Sequence, residues 1–434
     1  MIGWTSRPAR PARALAPWPK LLVLLSGMVL ARSAAGQEPI TLERALAEAH
    51  AANARLPVSA LVAAGAAERV LEARARLGPQ VAVEGALRYG PGRPYGIDVG
   101  EDRLQVVLRQ PLYTGGENTA LVASARARER SARSRARLDE KDLDREVRVR
   151  YAELLADQEE VTVRSVALER LLAYRSLVAS RAASGQGVTA DRLRADARLA
   201  SERADLLGAR RRMGEARVEL NDLMGRAPEG PLAAGDLPAP SEAAGGAPAR
   251  EVPDLEAART DLLASERALD AAHAGRRPRL DLVLDAGVLG GGLVPAAGNP
   301  PGWFGAQAGM TASVYLFWPI LDLGLYRARL AQARVARDTS RAVLELTRRA
   351  VRLGLVRSEV GAAQSLAEIG QRAAALAPTE DAYLQVQALY RSGLASSLEV
   401  LDAFSAWRDA RIAHNQAVFA WRVADAERIR WSTP

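Results

Sequence analysis

The stretch Pro111-Leu112-Tyr113-Thr114-Gly115-Gly116 has a counterpart 208 residues further along the chain, Pro319-Ile320-Leu321-Asp322-Leu323-Gly324. The same offset relates Ser184-Gly185 to Ser392-Gly393. An offset that stays constant over about 75 residues predicts two copies of one structural unit, with elements of equal length in each copy.

Two segments of alternating apolar and polar residues precede each copy of this stretch. Their apolar positions are Val81, Val83, Leu87 and Tyr89; Leu104, Val106 and Leu108; Leu280, Leu282 and Leu284; and Met310, Ala312, Val314 and Leu316. A period of two predicts strands with one apolar and one polar face. Strands of about ten residues are long enough to cross a bilayer. The strand pattern alone leaves open a soluble sheet whose apolar face is covered by helices.

Long helices are predicted around these strands. One helix is expected before each strand pair, over residues 42–77 and 254–275, and proline-free sequence follows the first pair from 116 to 183. A helix of that length measures roughly 100 Å, which favours a coiled coil or a tunnel wall. The matching segment 324–391 contains Pro378, which is expected to kink or restart its helix.

The first 36 residues have the features of a signal peptide. A basic segment is followed by the apolar run 21–30 and by small residues before Gln37. The predicted domain organisation is therefore a signal peptide (1–36), a first repeat (37–226), a linker rich in Pro, Gly and Ala (227–253) and a second repeat (254–434).

The composition excludes several classes of function. The net charge of +8 falls to +3 without residues 1–36, and the remaining Arg alternate with acids, so nucleic acid is not an expected partner. The chain has no Cys and three widely spaced His, so no metal site or cofactor is expected. No motif of a nucleotide-binding loop or a hydrolase is present, so we do not expect an enzyme.

Taken together, these features resemble the outer-membrane efflux protein family, the TolC-like channels. The resemblance rests on residues 40–46 (ITLERAL), 110–116 (QPLYTGG), 390–393 (YRSG) and 398–403 (LEVLDA). It implies an α+β membrane protein with a duplicated unit of helix, β-hairpin and long helical hairpin. It also implies a homotrimer with a twelve-stranded β-barrel in outer-membrane lipid, continued into the periplasm by an α-helical coiled-coil tunnel.

The resemblance further implies a function and a set of site residues. The chain would be the exit duct of a tripartite efflux or type I secretion system, working with a periplasmic adaptor protein and an inner-membrane transporter. The hairpin tips that contact the adaptor would be Gly185, Gly187, Val188 and Thr189, together with Gly393, Leu394, Ala395 and Ser396. Glu399 and Asp402 would form an acid ring at the periplasmic aperture, and Asp191 and Tyr390 a latch.

The alternative is a soluble periplasmic adaptor with a coiled-coil hairpin. Such a protein would have one hairpin instead of two and would lack four alternating strands, so the repeat argues against it. The transported substrate, the adaptor and the pump are not indicated by the sequence.

Overall fold

The computed structural model describes residues 39–89, 100–185, 188–241, 252–290 and 307–432. The predicted signal peptide lies outside these ranges. The first half of the chain contains α1 (Leu42–Ala52), α2 (Arg55–Ala75), β1 (Gln80–Tyr89), β2 (Gly100–Tyr113), α3 (Glu117–Ala183) and α4 (Thr189–Leu223). The second half contains α5 (Pro253–Ala274), β3 (Arg279–Gly290), β4 (Gln307–Phe317), α6 (Leu325–Ala374), α7 (Leu376–Ser392) and α8 (Ser397–Ser432).

The four predicted strands are confirmed and form one antiparallel sheet in the order β1-β2-β3-β4. The register pairs Val83 with Val106, Val106 with Ala286, and Ala286 with Met310. Residues that face each other across strands share one side of a sheet, so the apolar positions form one continuous face. That face is open to solvent in the single chain, with Val83 70% and Met310 83% exposed.

The opposite face of the sheet is less uniformly polar than predicted. Glu84 accepts a hydrogen bond from Gln105 across β1 and β2 at 3.3 Å, as expected of a polar face. Val107 and Val283 lie on the same side, however, and are only 5% and 7% exposed. The sheet therefore buries a small apolar contact between β2 and β3 on its otherwise polar side.

The helices next to the sheet lie in the same lateral order as the strands to which they connect. Packed neighbours along this row are α2 with α3, α3 with α5, and α5 with α6, while α8 packs against both α3 and α6. The longest helix, α3, has 67 residues and spans roughly 100 Å. No helix in the described ranges is both long and apolar enough to cross a membrane.

The prediction of one continuous helix over residues 42–77 is wrong, because the helix is interrupted at Asn53 and Ala54. The Asn53 side chain accepts a hydrogen bond from the Arg55 N–H at 3.0 Å and donates to the Leu223 carbonyl at 3.0 Å. An Asn that satisfies backbone groups in this way competes with helix continuation. The contact also fixes the end of α4 beside the start of α2.

Pro378 has the predicted effect on the second long helix. The helix ends at Ala374 and restarts at Leu376, which places Pro378 in the first turn of α7. A proline is tolerated there because its missing N–H would have no partner within the helix.

Part of the predicted linker packs into the apolar core of the first half of the chain. Ala234 forms an isolated bridge with Ile40, and Leu232 and Leu237 pack against the buried residues of α1, α3 and α4. The Tyr151 hydroxyl lies 2.7 Å from the carbonyl oxygens of both Ile40 and Gly235. Residues 232–237 are therefore held in place by α3.

Candidate functional site at the helical hairpin tips

Each pair of long helices is joined by a short turn at the end remote from the sheet. α7 ends in a Schellman motif, in which the Gly393 N–H donates to Tyr390 O at 3.1 Å and the Leu394 N–H to Leu389 O at 2.9 Å. Gly393 has φ +82°, a conformation that is costly for residues with a Cβ. Gly185 ends α3 with φ +74°. Two of the three predicted tip glycines, Gly185 and Gly393, therefore have the backbone conformation that ends a helix in a tight turn.

The remaining predicted tip residues form a mostly exposed surface. Val188 is the N-cap of α4 and is 63% exposed, Thr189 begins that helix, and Leu394 is 78% exposed. Ala395 is partly buried against the core between the hairpins. Gly187 lies outside the described residues. Each tip therefore exposes an apolar side chain, Val188 on the first and Leu394 on the second.

The two hairpins pack against each other just behind their tips. The apolar cluster there contains Ala167, Leu171, Tyr174, Val178, Ala195, Leu199, Tyr383, Tyr390, Val400, Phe404 and Trp407. The rings of Tyr174 and Tyr390 are 5.5 Å apart, and the Tyr174 hydroxyl donates to Ser397 Oγ at 2.7 Å. Burial raises the pKa of Tyr174, so this hydroxyl remains a donor at physiological pH. α3 is thereby joined to the beginning of α8.

Arg181 in the last turn of α3 makes a second link between the hairpins. Its guanidinium lies 4.7 Å from the centre of the Tyr390 ring and also donates to the Tyr390 carbonyl oxygen. Neither Arg181 nor Tyr174 is among the site residues predicted from the sequence. The only sequence signal for Arg181 is a cation in the last turn of a helix, which is a common position for arginine.

The predicted latch residues Asp191 and Tyr390 are brought near each other without a direct hydrogen bond between them among the described residues. Burial raises the pKa of Tyr390, and the negative charge of Asp191 raises it further. The Asp191 carboxylate is 3.4 Å from Arg194 on its own helix. In this conformation Tyr390 is held by Tyr174 and Arg181 instead.

Glu399, one of the two predicted aperture acids, closes a capping box at the start of α8. Its carboxylate accepts a hydrogen bond from the Ser396 N–H at 2.6 Å, and the Glu399 N–H donates to Ser396 Oγ at 3.3 Å. The Ser396 N–H lowers the pKa of Glu399, so the carboxylate stays ionised.

The other predicted aperture acid, Asp402, is exposed on the next turn of the same helix, and no described residue pairs with it. Two carboxylates three residues apart on a helix share one face. The first two turns of α8 therefore present two negative charges beside the second tip.

Further from the tips, a buried carboxylate joins the two hairpins. Glu202 of α4 has no exposed surface and lies 2.7 Å from Arg408 of α8 and 3.5 Å from Arg164 of α3. Both arginines are also largely buried, with side chains 11% and 15% exposed. Glu202 is not among the residues predicted from the sequence, because acids alternate with arginines throughout these helices and nothing in the sequence distinguishes it.

A second charged cluster lies where α7 begins, just after Pro378. Glu380 accepts from Arg170 of α3 at 2.6 Å and from Arg411 of α8 at 2.9 Å, and these bonds lower its pKa. The Arg170 guanidinium also lies 3.9 Å from the centre of the buried Trp407 ring. α7 is thus anchored to both neighbouring helices at the point where the helix restarts.

Comparisons with known proteins agree with this architecture. The profile of the family described as "Outer membrane efflux protein" matches residues 45–226 and 249–427. A solved structure of the outer-membrane channel OprN superimposes with a TM-score of 0.81, at 22% identity over 90% of this chain and 89% of that chain. No curated protein matches this chain.

Two further solved structures, from Vibrio cholerae and Campylobacter jejuni, have a similar fold. VceC of Vibrio cholerae superimposes with a TM-score of 0.79, at 19% identity over 89% of this chain and 95% of that chain. The CmeC outer membrane channel of Campylobacter jejuni gives a TM-score of 0.79, at 14% identity over 90% of this chain and 84% of that chain. At these identities the similarity establishes the fold.

Proposed function

This chain belongs to the outer membrane efflux protein family, and from that premise we propose that three copies form the exit duct of a tripartite efflux or type I secretion system. Members of the family are transport channels of the outer membrane that extend into the periplasm, and they are not enzymes. The proposed duct receives substrate from an inner-membrane transporter and releases it outside the cell. The family match argues against the alternative of a soluble periplasmic adaptor.

The observation that carries the proposal is the sheet with two unpaired edges and one exposed apolar face. β1 and β4 are the edge strands, and unpaired edges are not tolerated in the hydrocarbon of a bilayer. If β1 of one copy pairs with β4 of the next, three copies of four strands close a twelve-stranded barrel. Its outer surface is then apolar, as lipid requires.

The lateral order of the helices supports the same closure. Because α2 and α6 lie at the two ends of the row of helices, joining the barrel edges brings α2 of one copy beside α6 of the next. Both helices expose apolar side chains in the single chain, including Leu61 at 71% and Leu346 at 64%. We propose that these faces pack together and close the periplasmic tunnel.

We propose that the hairpin tips contact a periplasmic adaptor protein. The exposed Val188, Leu394 and Leu398 supply apolar contact area, and the Schellman turn at Gly393 gives it a fixed shape.

The matching order of helix, two strands and helical hairpin in the two halves supports their origin from one duplicated unit.

Glu399 and Asp402 are proposed to line the periplasmic aperture. Threefold symmetry would bring up to six carboxylates together, and such a ring favours cations over anions. The capping role of Glu399 is compatible with this, because a carboxylate that accepts one hydrogen bond keeps its full negative charge.

The test of the function is single-channel conductance of the purified oligomer in a planar bilayer. We expect discrete openings with a preference for cations. Protein that is folded and oligomeric but never inserts would contradict the proposed duct.

The ion selectivity of Glu399→Gln/Asp402→Asn tests the ring separately. These substitutions remove two charges per chain, while the amide oxygen of the introduced glutamine can still accept a capping bond. We expect a lower cation preference at unchanged oligomer yield. Asp338→Asn/Glu345→Gln on α6 removes two exposed charges far from the tips and is expected to leave selectivity unchanged. Equal selectivity in both double variants would exclude the proposed ring.

A further inference from the structure

A cavity of about 290 Å³ lies where the two halves of the chain and the segment between them meet. Its walls come from the start of α1, the middle of α3, residues 237–241 and the last third of α8, and we call it the junction cavity. Apolar surface is supplied by Leu42, Leu237, Trp421 and Ile429, and two arginines, Arg148 and Arg422, also line it. The cavity is remote from the hairpin tips and from the sheet.

The two arginines of the junction cavity have no partner among the described residues. The Nε atoms of both are buried and lack a hydrogen-bond acceptor, and neither guanidinium forms an ion pair within the described ranges. Burial lowers the pKa of Arg422, and the negative charges of Glu159 and Asp236, which form no ion pair with it, offset this only in part. Buried polar atoms in proteins are normally hydrogen-bonded, so two unsatisfied Nε atoms on the wall of one cavity indicate an absent acceptor.

Neighbouring arginines on the same helices are paired. Arg145 on α3 lies 2.9 Å from Glu427, and Arg428 on α8 lies 2.8 Å from Asp425. Asp425 lines the junction cavity but is occupied by this bond. The second acid that lines the cavity, Glu43, is exposed in the first turn of α1, where its negative charge interacts favourably with the helix dipole. Glu43 forms an ion pair with neither cavity arginine. The two guanidinium groups therefore keep donors available.

We infer that the junction cavity binds a small organic carboxylate with an apolar body. The planar guanidinium groups of Arg148 and Arg422 match the geometry of a carboxylate, and the apolar body contacts Leu237, Trp421 and Ile429. The occupant touches both halves of the chain and the segment between them, so binding stabilises their junction.

The test uses the purified full-length oligomer in a neutral detergent and 4-fluorophenylacetate as the probe. Ligand-observed fluorine NMR measures saturable line broadening, with empty micelles as the background. We expect binding to the wild type and at least about a tenfold loss of affinity in Arg148→Gln and in Arg422→Gln, since each removes one charged hydrogen-bond donor. Arg145→Gln has the same change in net charge and is expected to bind like the wild type.

Two further ligands make the outcome decisive even if a variant fails to fold. The neutral 2-(4-fluorophenyl)ethanol has a similar body without the charge and is expected to bind much more weakly. Inorganic phosphate is expected to compete poorly, because it lacks an apolar body. No saturable binding by the wild type, equal binding of the alcohol, full competition by equimolar phosphate, or equal affinity in the three variants would each overturn the inference.

Discussion

Removing the carboxylate of Glu202 should destabilise the assembled helices more than any substitution of an exposed acid. Glu202 is fully buried, so Glu202→Ala leaves Arg408 buried beside an empty site. Breaking a buried pair by deleting one partner costs about 3–5 kcal/mol. Arg164 keeps Glu160 at 2.7 Å and Arg408 keeps the exposed Asp409 at 2.7 Å, so neither arginine loses every acid and the lower end, about 3 kcal/mol, is expected.

The assay is the apparent melting temperature of the purified oligomer, followed by helical circular dichroism at one fixed scan rate. At about 2 °C per kcal/mol for a large chain, the expected decrease is roughly 6 °C. Glu215→Ala on the same helix is the control. Its partner Arg211 lies at 2.6 Å, but the two side chains are 57% and 66% exposed. An exposed pair contributes about 0.5 kcal/mol, so the control should melt within about 1 °C of the wild type.

The double variant Glu202→Ala/Arg408→Ala separates pairing from packing. If the loss comes from Arg408 Nη1, which no longer has its buried acceptor, removing this side chain as well should restore part of the melting temperature. The reasoning is refuted if Glu202→Ala melts like Glu215→Ala, or if the double variant loses the full sum of the two single losses.

Four other substitutions test three local features by chemical unfolding and refolding of the purified protein. Gly393→Ala should lower the free energy of unfolding by about 1–2 kcal/mol because φ is positive at this position. Gly370→Ala should raise it by about 0.5–1 kcal/mol, because this position is inside α6 and no other atom lies near the added methyl group. Equal effects of the two substitutions would contradict the assigned turn. Burial raises the pKa of Asp157 to about 6, so the folded chain binds a proton that the unfolded chain releases. Stability should therefore fall as the pH rises from about 4 to about 6, and Asp157→Asn should flatten this part of the profile; parallel profiles would exclude Asp157 as the cause. Tyr174→Phe should cost about 1 kcal/mol by leaving the Ser397 hydroxyl without its donor, and an unchanged stability would show that this bond contributes nothing.

Features that depend on local periodicity or on backbone chemistry were predictable from the sequence. The strands follow from period-two alternation, and the break in the second long helix follows from Pro378. The capping box was also predictable, since Ser396 and Glu399 have its spacing.

Features that depend on contacts between distant residues were not predictable. The break at Asn53 is stabilised by the Leu223 carbonyl, 170 positions away. Arg181 reaches Tyr390 across 209 positions, and Glu202 reaches Arg408 across 206. Because arginines and acids alternate along all of these helices, no local pattern distinguishes a buried pair from a solvated one.

The open edges of the sheet have a consequence for biogenesis. Before assembly, β1 and β4 present unpaired backbone groups beside an apolar surface, which is the combination that promotes aggregation. The longer the chain remains unassembled, the larger is the fraction that aggregates before it can form the closed barrel. A substitution that slows association of the copies should lower the yield of mature protein even when the finished assembly is as stable as the wild type.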